Sequence, residues 1–231
     1  MSRRPLPLSS DGENIVVASG IEKSFGRGSG RIHVLRGLDL TVRKGEFLAV
    51  MGPSGCGKTT LLHVLGLVTP QDAGGVFLND RQVPMTEAAR NALRRKHIGL
   101  VFQRFNLINV LSAADNVAIW LRVRGLPADG RVQPLLEAVG IPHLARRKPS
   151  QMSVGEQQRV AVARAVAHDP DLLLADEPTG SLDSGNATAL LELLRNLNRQ
   201  RGQSIVMITH SPEAAAFADR VVHMKDGRLL P

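Results

Sequence analysis

The chain has 231 residues and a formal net charge of +8, with 43% hydrophobic, 22% charged and 3% aromatic residues. That length buries a sizeable core and the composition is that of a globular protein. The single cysteine, Cys56, excludes an internal disulfide framework and a multi-cysteine zinc site. No apolar run reaches the roughly 18 residues of a membrane span. The first 11 residues lack the apolar centre of a signal peptide, so a cytoplasmic location is expected. Excess positive charge suits a phosphorylated ligand or an anionic membrane surface. The scarcity of aromatics, with no tyrosine, argues against stacking of single-stranded bases, so nucleic acid is not an expected partner.

In chain order, residues 1–12 are rich in Pro, Ser and Arg and read as a flexible terminus. Residues 15–17 and 34–42 are strand-like, with a glycine-rich hairpin loop at 26–30. The apolar run 47–51 reads as a buried strand, 59–67 as a helix and 76–79 as a strand. Helices follow at 87–95, 113–124 and 132–139, with a strand at 98–102. The spacing then predicts a helix over 160–168, a buried strand over 172–175, a helix over 187–199, a strand over 204–209 and a short helix over 213–218. Strands at 221–224 and 228–230 flank the turn pair Asp226-Gly227. Strands alternating with helices predict an α/β fold with a mostly parallel sheet. The helix-rich middle, about 104–168, reads as an insertion in that frame.

The strongest motif is Gly52-Pro53-Ser54-Gly55-Cys56-Gly57-Lys58-Thr59, a phosphate loop between an apolar strand and a helix. Gly52, Gly55 and Gly57 allow backbone angles that turn successive N–H groups toward phosphate oxygens. The helix N-terminus adds partial positive charge. Lys58 is expected on the β- and γ-phosphates and the Thr59 hydroxyl on magnesium. Cys56 reads as a small side chain that fits the loop rather than a redox switch, since it has no cysteine partner. Further along, Leu172-Leu173-Leu174-Ala175 ends in Asp176-Glu177. Carboxylates at the end of a parallel strand beside a phosphate loop suit magnesium binding at Asp176 and water activation at Glu177.

With these two motifs the chain resembles the ATP-binding cassettes of ABC transporters. Met152-Ser153-Val154-Gly155-Glu156-Gln157-Gln158-Arg159 resembles the family signature, Gln103 the Q-loop glutamine, Ser181-Leu182-Asp183 the D-loop and His210 the switch histidine. Phe25 stands where the family stacks an aromatic ring on adenine. The resemblance runs from about residue 15 to 230, with every motif in order. It implies a P-loop NTPase with a mostly parallel core sheet, an antiparallel β subdomain and a helical signature subdomain within a cassette spanning 13–231. It implies ATP and Mg2+ as ligands. Glu177, His210 and Gln103 are the implied catalytic residues, and Thr59, Gln103 and Asp176 the implied magnesium ligands. Implied nucleotide contacts are Phe25, the stretch Gly52, Pro53, Ser54, Gly55, Cys56, Gly57, Lys58, Thr59 and Thr60, and Ser153, Gly155, Glu156 and Asp183. The family places two glycines in the signature; here Val154 replaces the first, which adds volume close to a phosphate.

In this family two cassettes sandwich two ATPs, each held by one phosphate loop and the other subunit's signature. The resemblance therefore implies a homodimer or pseudo-dimer, peripheral to the cytoplasmic face of the inner membrane. The pore would come from a separate integral membrane subunit. Phe105, Leu107, Ile108, Val110 and Leu111 are expected to offer that subunit a groove for a short helix, the simpler reading being that they pack under the helical lobe. The residues 94–103, 105–108 and 175–183 resemble the branch of lipoprotein-releasing, macrolide- and peptide-exporting and cell-division cassettes, with lipoprotein release or a related export task first. The chain's end just after Leu230 suits a stand-alone subunit. Two alternatives are soluble cassettes acting on ribosomes, which usually carry two cassettes per chain, and cassettes acting in DNA repair, which carry long or zinc-bearing insertions. A small-molecule kinase is disfavoured by the signature segment.

Overall fold

The strands and helices assemble into two sheets in the computed structural model, which describes residues 13–230. The terminus 1–12, expected to be flexible, lies outside those residues. The elements in order are β1 (Asn14–Phe25), β2 (Ile32–Arg43), β3 (Phe47–Met51), α1 (Lys58–Leu65), β4 (Ala73–Leu78), β5 (Arg81–Gln82), α2 (Glu87–His97) and β6 (Ile98–Val101). Then come α3 (Ala113–Val123), α4 (Val132–Ala138), α5 (Val154–Val166), β7 (Leu172–Asp176), α6 (Ser184–Arg201), β8 (Ser204–Ile208), α7 (Pro212–Ala215), β9 (Arg220–Lys225) and β10 (Arg228–Leu229).

Six strands form the central sheet in the order β10-β9-β3-β8-β7-β6, parallel except for the β9–β10 pair. Strands β3, β7 and β8 are apolar along almost their whole length because both of their faces are covered. Their side chains sort by alternation. Phe47, Ala49, Leu173, Ala175, Ile205 and Met207 join the core under the helices of the signature region and α6. Leu48, Val50, Leu172, Leu174, Val206 and Ile208 join a second core with α1 and the antiparallel sheet β2-β1-β4-β5. Because β3, β6, β7 and β8 run parallel, the segments leaving their C-terminal ends emerge on one edge. Those segments carry Gly52, Gln103, Glu177 and His210.

Several boundaries differ from the sequence reading. The first strand continues to Phe25 rather than stopping at Val17, because register shifts between Ala18 and Ile21 absorb Gly20 without ending the pairing with β2. The helix expected over 160–168 starts at Val154, since Ser153 caps it and the signature forms its first turn. Asp183 likewise caps α6 and starts it at Ser184. The short helix near 213 covers only Pro212–Ala215.

Helices α3, α4 and α5 pack together over one core. The loop before α3 is tied down by Asn116, whose side chain is 1% exposed. Its Oδ1 accepts from the Ile108 N–H at 2.8 Å and its Nδ2 donates to the Ser112 carbonyl at 2.9 Å. This corrects the groove expectation in part. Leu107 packs against the buried core, whereas Ile108 and Val110 remain 43% and 74% exposed.

Candidate nucleotide site

Strand β3 delivers the chain into the phosphate loop, and the loop's shape depends on three glycines at φ +156°, +77° and +107° for Gly52, Gly55 and Gly57. Two of them have no room for a side chain. A Cβ on Gly52 would sit 2.2 Å from the Met224 carbonyl oxygen, and one on Gly57 would sit 3.0 Å from the Val34 carbonyl. Gly57 then caps α1, so the free N–H groups of that helix open toward the loop. Lys58 is buried, and its ammonium donates to the Gly52 and Pro53 carbonyls at 2.7 and 2.9 Å. No carboxylate pairs with it among the described residues. The loop thus holds a positive charge in a ring of acceptors, ready for an anion. Cys56 is buried, with Sγ 3.9 Å from that ammonium, in keeping with a small side chain that fills space.

The cleft over the loop, about 410 Å³, is lined by Ser54, Gly55, Gly57, Lys58, Thr59, Thr60 and Glu177, with Val34 as its apolar wall. Here the structure brings β7's carboxylates to the loop as expected. The Thr59 hydroxyl donates to Asp176 Oδ1 at 3.4 Å. Burial pushes the Asp176 carboxyl above its ordinary range, against the opposing pull of that hydroxyl. Glu177 takes a positive φ of +43°, rare for a residue with a side chain, and its N–H donates to the Ile208 carbonyl. That backbone turn aims its carboxylate at His210, with Oε2 to Nδ1 at 3.0 Å. Gln103 lies at the same edge, its Nε2 3.2 Å from where a Cβ on Gly180 would be.

Other expected site residues lie apart from the cleft. Phe25 ends β1 with its ring 46% exposed and the Lys23 ammonium 5.4 Å from the ring centroid. Ser153, Gly155, Glu156 and Asp183 do not line the cleft either. Ser153 and Glu156 form a reciprocal cap, the Ser153 Oγ accepting from the Glu156 N–H and the Glu156 carboxylate accepting from the Ser153 N–H at 2.7 Å. Asp183 accepts from the backbone and side-chain N–H groups of Asn186, which hold its carboxyl below the usual range. Gly155 lies against Asn186, where a Cβ would approach Oδ1 to 2.8 Å. Val154 is 43% exposed at the first position of α5.

One residue of the signature segment received no role in the sequence reading. Gln158 is fully buried and its Nε2 donates to the carbonyls of Pro178 at 3.0 Å and Phe102 at 3.4 Å. It therefore ties the signature helix to the residue after Glu177 and the residue before Gln103. Beyond its place in the signature segment, its sequence signal is a polar residue on a face of α5 that is otherwise apolar.

Comparison with known proteins agrees with this geometry. The family profile described as "ABC transporter" matches residues 35–180. The "Lipoprotein-releasing system ATP-binding protein LolD 2" of Caulobacter vibrioides is 44% identical, over 93% of this chain and 96% of its own length. The "Macrolide export ATP-binding/permease protein MacB" of Chlorobium luteolum is also 44% identical, over 91% of this chain and 32% of its own length. The chain thus spans about a third of the macrolide export protein that it matches. Among solved structures, the dimeric post-hydrolysis state of the ATP-binding cassette MJ0796, bound to ADP and Pi, superposes with a TM-score of 0.86. It is 34% identical and covers 94% of this chain and 97% of the other.

Proposed function

The chain belongs to the ABC transporter family as an ATP-hydrolysing cassette, and within that family we propose that it powers a separate membrane subunit in lipoprotein release or a related export task. The observation that carries the reading is the match along nearly the whole length of a lipoprotein-releasing ATP-binding protein, with the phosphate loop, Asp176, Glu177 and His210 assembled at one sheet edge. No helix among the described residues is long and apolar enough to cross a membrane, which suits a peripheral subunit at the cytoplasmic face of the inner membrane. Copurification from detergent-solubilised membranes, with the partner identified, tests the reading. Loss of lipoprotein release on depletion of the chain tests the cargo, and unchanged release would move the assignment to another export task.

In this reading Lys58 and the loop N–H groups hold the β- and γ-phosphates. Glu177 accepts the proton of the attacking water, and His210 holds Glu177 and the γ-phosphate in register. Thr59 and Asp176 fit magnesium, because a hydroxyl and a carboxylate at the loop's rim are the oxygen donors that a hard cation prefers. Gln103 completes that set from the same edge. No group of three His, Cys, Asp or Glu residues suited to a metal occurs among the described residues, so water and phosphate oxygens would fill the remaining positions. Magnesium, when bound, neutralises charge on the phosphate oxygens.

Ser153, Gly155 and Asp183 stand off the chain's own cleft, which fits a head-to-tail dimer in which each signature meets the partner's ATP. The neighbour's dimeric state supports that arrangement. Val154 would then face the partner's phosphates, and its exposed position means that its extra volume falls in the interface rather than in the fold. Val154→Gly is expected to strengthen ATP-dependent dimerisation by a few-fold with little change in folding. Sedimentation with and without ATP checks this, and weaker dimerisation would reverse the assignment.

Phe25 is the adenine platform in this reading. Loss of stacking on the order of 1–2 kcal/mol means that Phe25→Ala should weaken ATP binding by a few-fold to tens-fold, and GTP, with its own π-face, should bind too. Nucleotide titration of the parent and the variant decides the point, equal affinity meaning that the base rests elsewhere.

The loop before α3 is the proposed docking surface for the membrane subunit, in the form that burial permits. Ile108→Glu and Val110→Glu should break copurification with that subunit and leave ATP binding and thermal stability intact. Leu107→Glu should instead destabilise the fold by burying a charge. Normal copurification of both exposed variants would move the docking surface elsewhere.

A further inference from the structure

Between β6 and the exposed Ile108, the chain runs through residues 102–107, which belong to no helix or strand. Among the described residues, no backbone–backbone hydrogen bond holds that segment. Asn106 within it takes a φ of +50°, a conformation that its surroundings have to maintain. A stretch with so few backbone bonds opens easily. Yet it carries Gln103, whose side chain needs a fixed place at the catalytic edge.

Two side chains of α5 supply the missing attachments. Gln158 donates from Nε2 to the Phe102 carbonyl at 3.4 Å, just ahead of Gln103. Arg164, six residues further along the same helix, takes hold just beyond it. Its Nη2 donates to the Phe105 carbonyl at 2.8 Å and its Nη1 to the Asn106 carbonyl. Only Gln103 and Arg104 lie between Phe102 and Phe105. Three residues of chain reach at most about 11 Å, so two attachments to one helix leave Gln103 little freedom.

Arg164 is an expensive residue to place there. It is 8% exposed, and among the described residues no carboxylate pairs with it. Its guanidinium carbon lies 5.6 Å from the centroid of the Trp120 ring, and burial pulls the group below the usual arginine value. A buried cation that meets only neutral acceptors is poorly compensated. An apolar side chain would fill the same place on α5 without that penalty. What the guanidinium alone provides is a planar fork of N–H groups that can grip two successive carbonyls.

We infer that Arg164 is a positioning residue for Gln103, fastening its loop to the helix that begins at the signature. This rests on the role proposed for Gln103 at the magnesium site. Arg164 touches neither nucleotide nor water and acts only through the loop. With Gln158 on one side and the fork on the other, Gln103 travels with α5. The distance from Gln103 to Thr59 and Asp176 is then set by where α5 lies on the sheet.

Two variants separate the fork from the charge. Arg164→Lys keeps the charge and loses the fork, whereas Arg164→Met loses both together with the desolvation. Phe105 is half-buried and Asn106 exposed, so water can reach the freed carbonyls and the fold should persist. The first measurement is tryptic cleavage of the free full chain after Arg104, an exposed residue inside the fastened span. Cleavage there should quicken about tenfold or more in both variants, the scale of a lost charge-assisted hydrogen bond, with cuts elsewhere unchanged. The second is ATP turnover against magnesium concentration for the parent, Arg164→Lys, Gln103→Ala and the double variant. Arg164→Lys should lower kcat about tenfold and raise the half-saturating magnesium, as expected of a misplaced group. With alanine already at Gln103, it should change either by less than about twofold, because residues that act through one another are not additive. Cleavage after Arg104 at the parental rate in both variants overturns the inference. So does faster cutting throughout the chain, or an Arg164→Lys effect of the same size with and without Gln103. If the loop is freed while Gln103→Ala turns over like the parent, the fastening stands and the role proposed for Gln103 falls.

Discussion

Glutamine in place of Glu177 is expected to lower ATP turnover by about 10²–10⁴-fold, the range for loss of a general base, while ATP still binds. The geometry isolates the chemical change. Glu177's position is set by its backbone, with φ +43° and an N–H donated to Ile208, and neither depends on the side-chain charge. Glutamine has the same shape and can pair with His210 Nδ1 through its carbonyl or its amide, whichever tautomer is present. What it cannot do is take a proton from water. Asp176, Thr59 and Lys58 are untouched, so nucleotide affinity should stay within a few-fold of the parent. With binding intact and hydrolysis stalled, the ATP-bound dimer should persist. Turnover with magnesium and sedimentation with ATP measure the two halves separately. Turnover at the parental rate would assign water activation to another group, and weak binding would show that Glu177 supports the cleft rather than the reaction.

The sequence exposed those parts of the site that lie on short local patterns. The phosphate loop reads directly because its glycines, lysine and threonine are contiguous and act within one local segment, and the acidic pair reads because it ends an apolar strand. The parallel strands β3, β7 and β8 were equally plain, being buried on both faces and so almost wholly apolar. What escaped depends on contacts far apart in the chain. Gln158 looks like a polar residue in a helix until Pro178 and Phe102 are brought to it. The start of α5 was missed because its first turn holds a valine, a glycine and polar residues, and the Ser153–Glu156 cap outweighs their weak helical pattern. Leu107 and Ile108 are alike in composition, and only the Asn116 bonds to the backbone at Ile108 fix which of them turns inward.

Lys58→Met should weaken ATP binding by about thirtyfold or more and leave the free protein nearly as stable as before. The two effects separate because the lysine has different partners in the two states. In the free chain its ammonium is bonded to the Gly52 and Pro53 carbonyls, and Gly52 is half-buried and Pro53 exposed. Water can reach both carbonyls, and removing the buried ammonium also relieves its desolvation, which offsets most of the two lost bonds and leaves a net cost of about 1 kcal/mol. Methionine keeps the apolar stem that packs at the start of α1. With ATP bound, the same ammonium would bond to phosphate oxygens, at about 1.5–3 kcal/mol for each hydrogen bond to a charged group. Two such bonds, less the roughly 1 kcal/mol lost in the free state, amount to about thirtyfold or more in affinity. Nucleotide titration and thermal unfolding of the free variant give the two numbers. A large loss of stability would mean that the lysine chiefly holds the loop together. Unchanged affinity would mean that the loop N–H groups and the α1 N-terminus carry the phosphates without it.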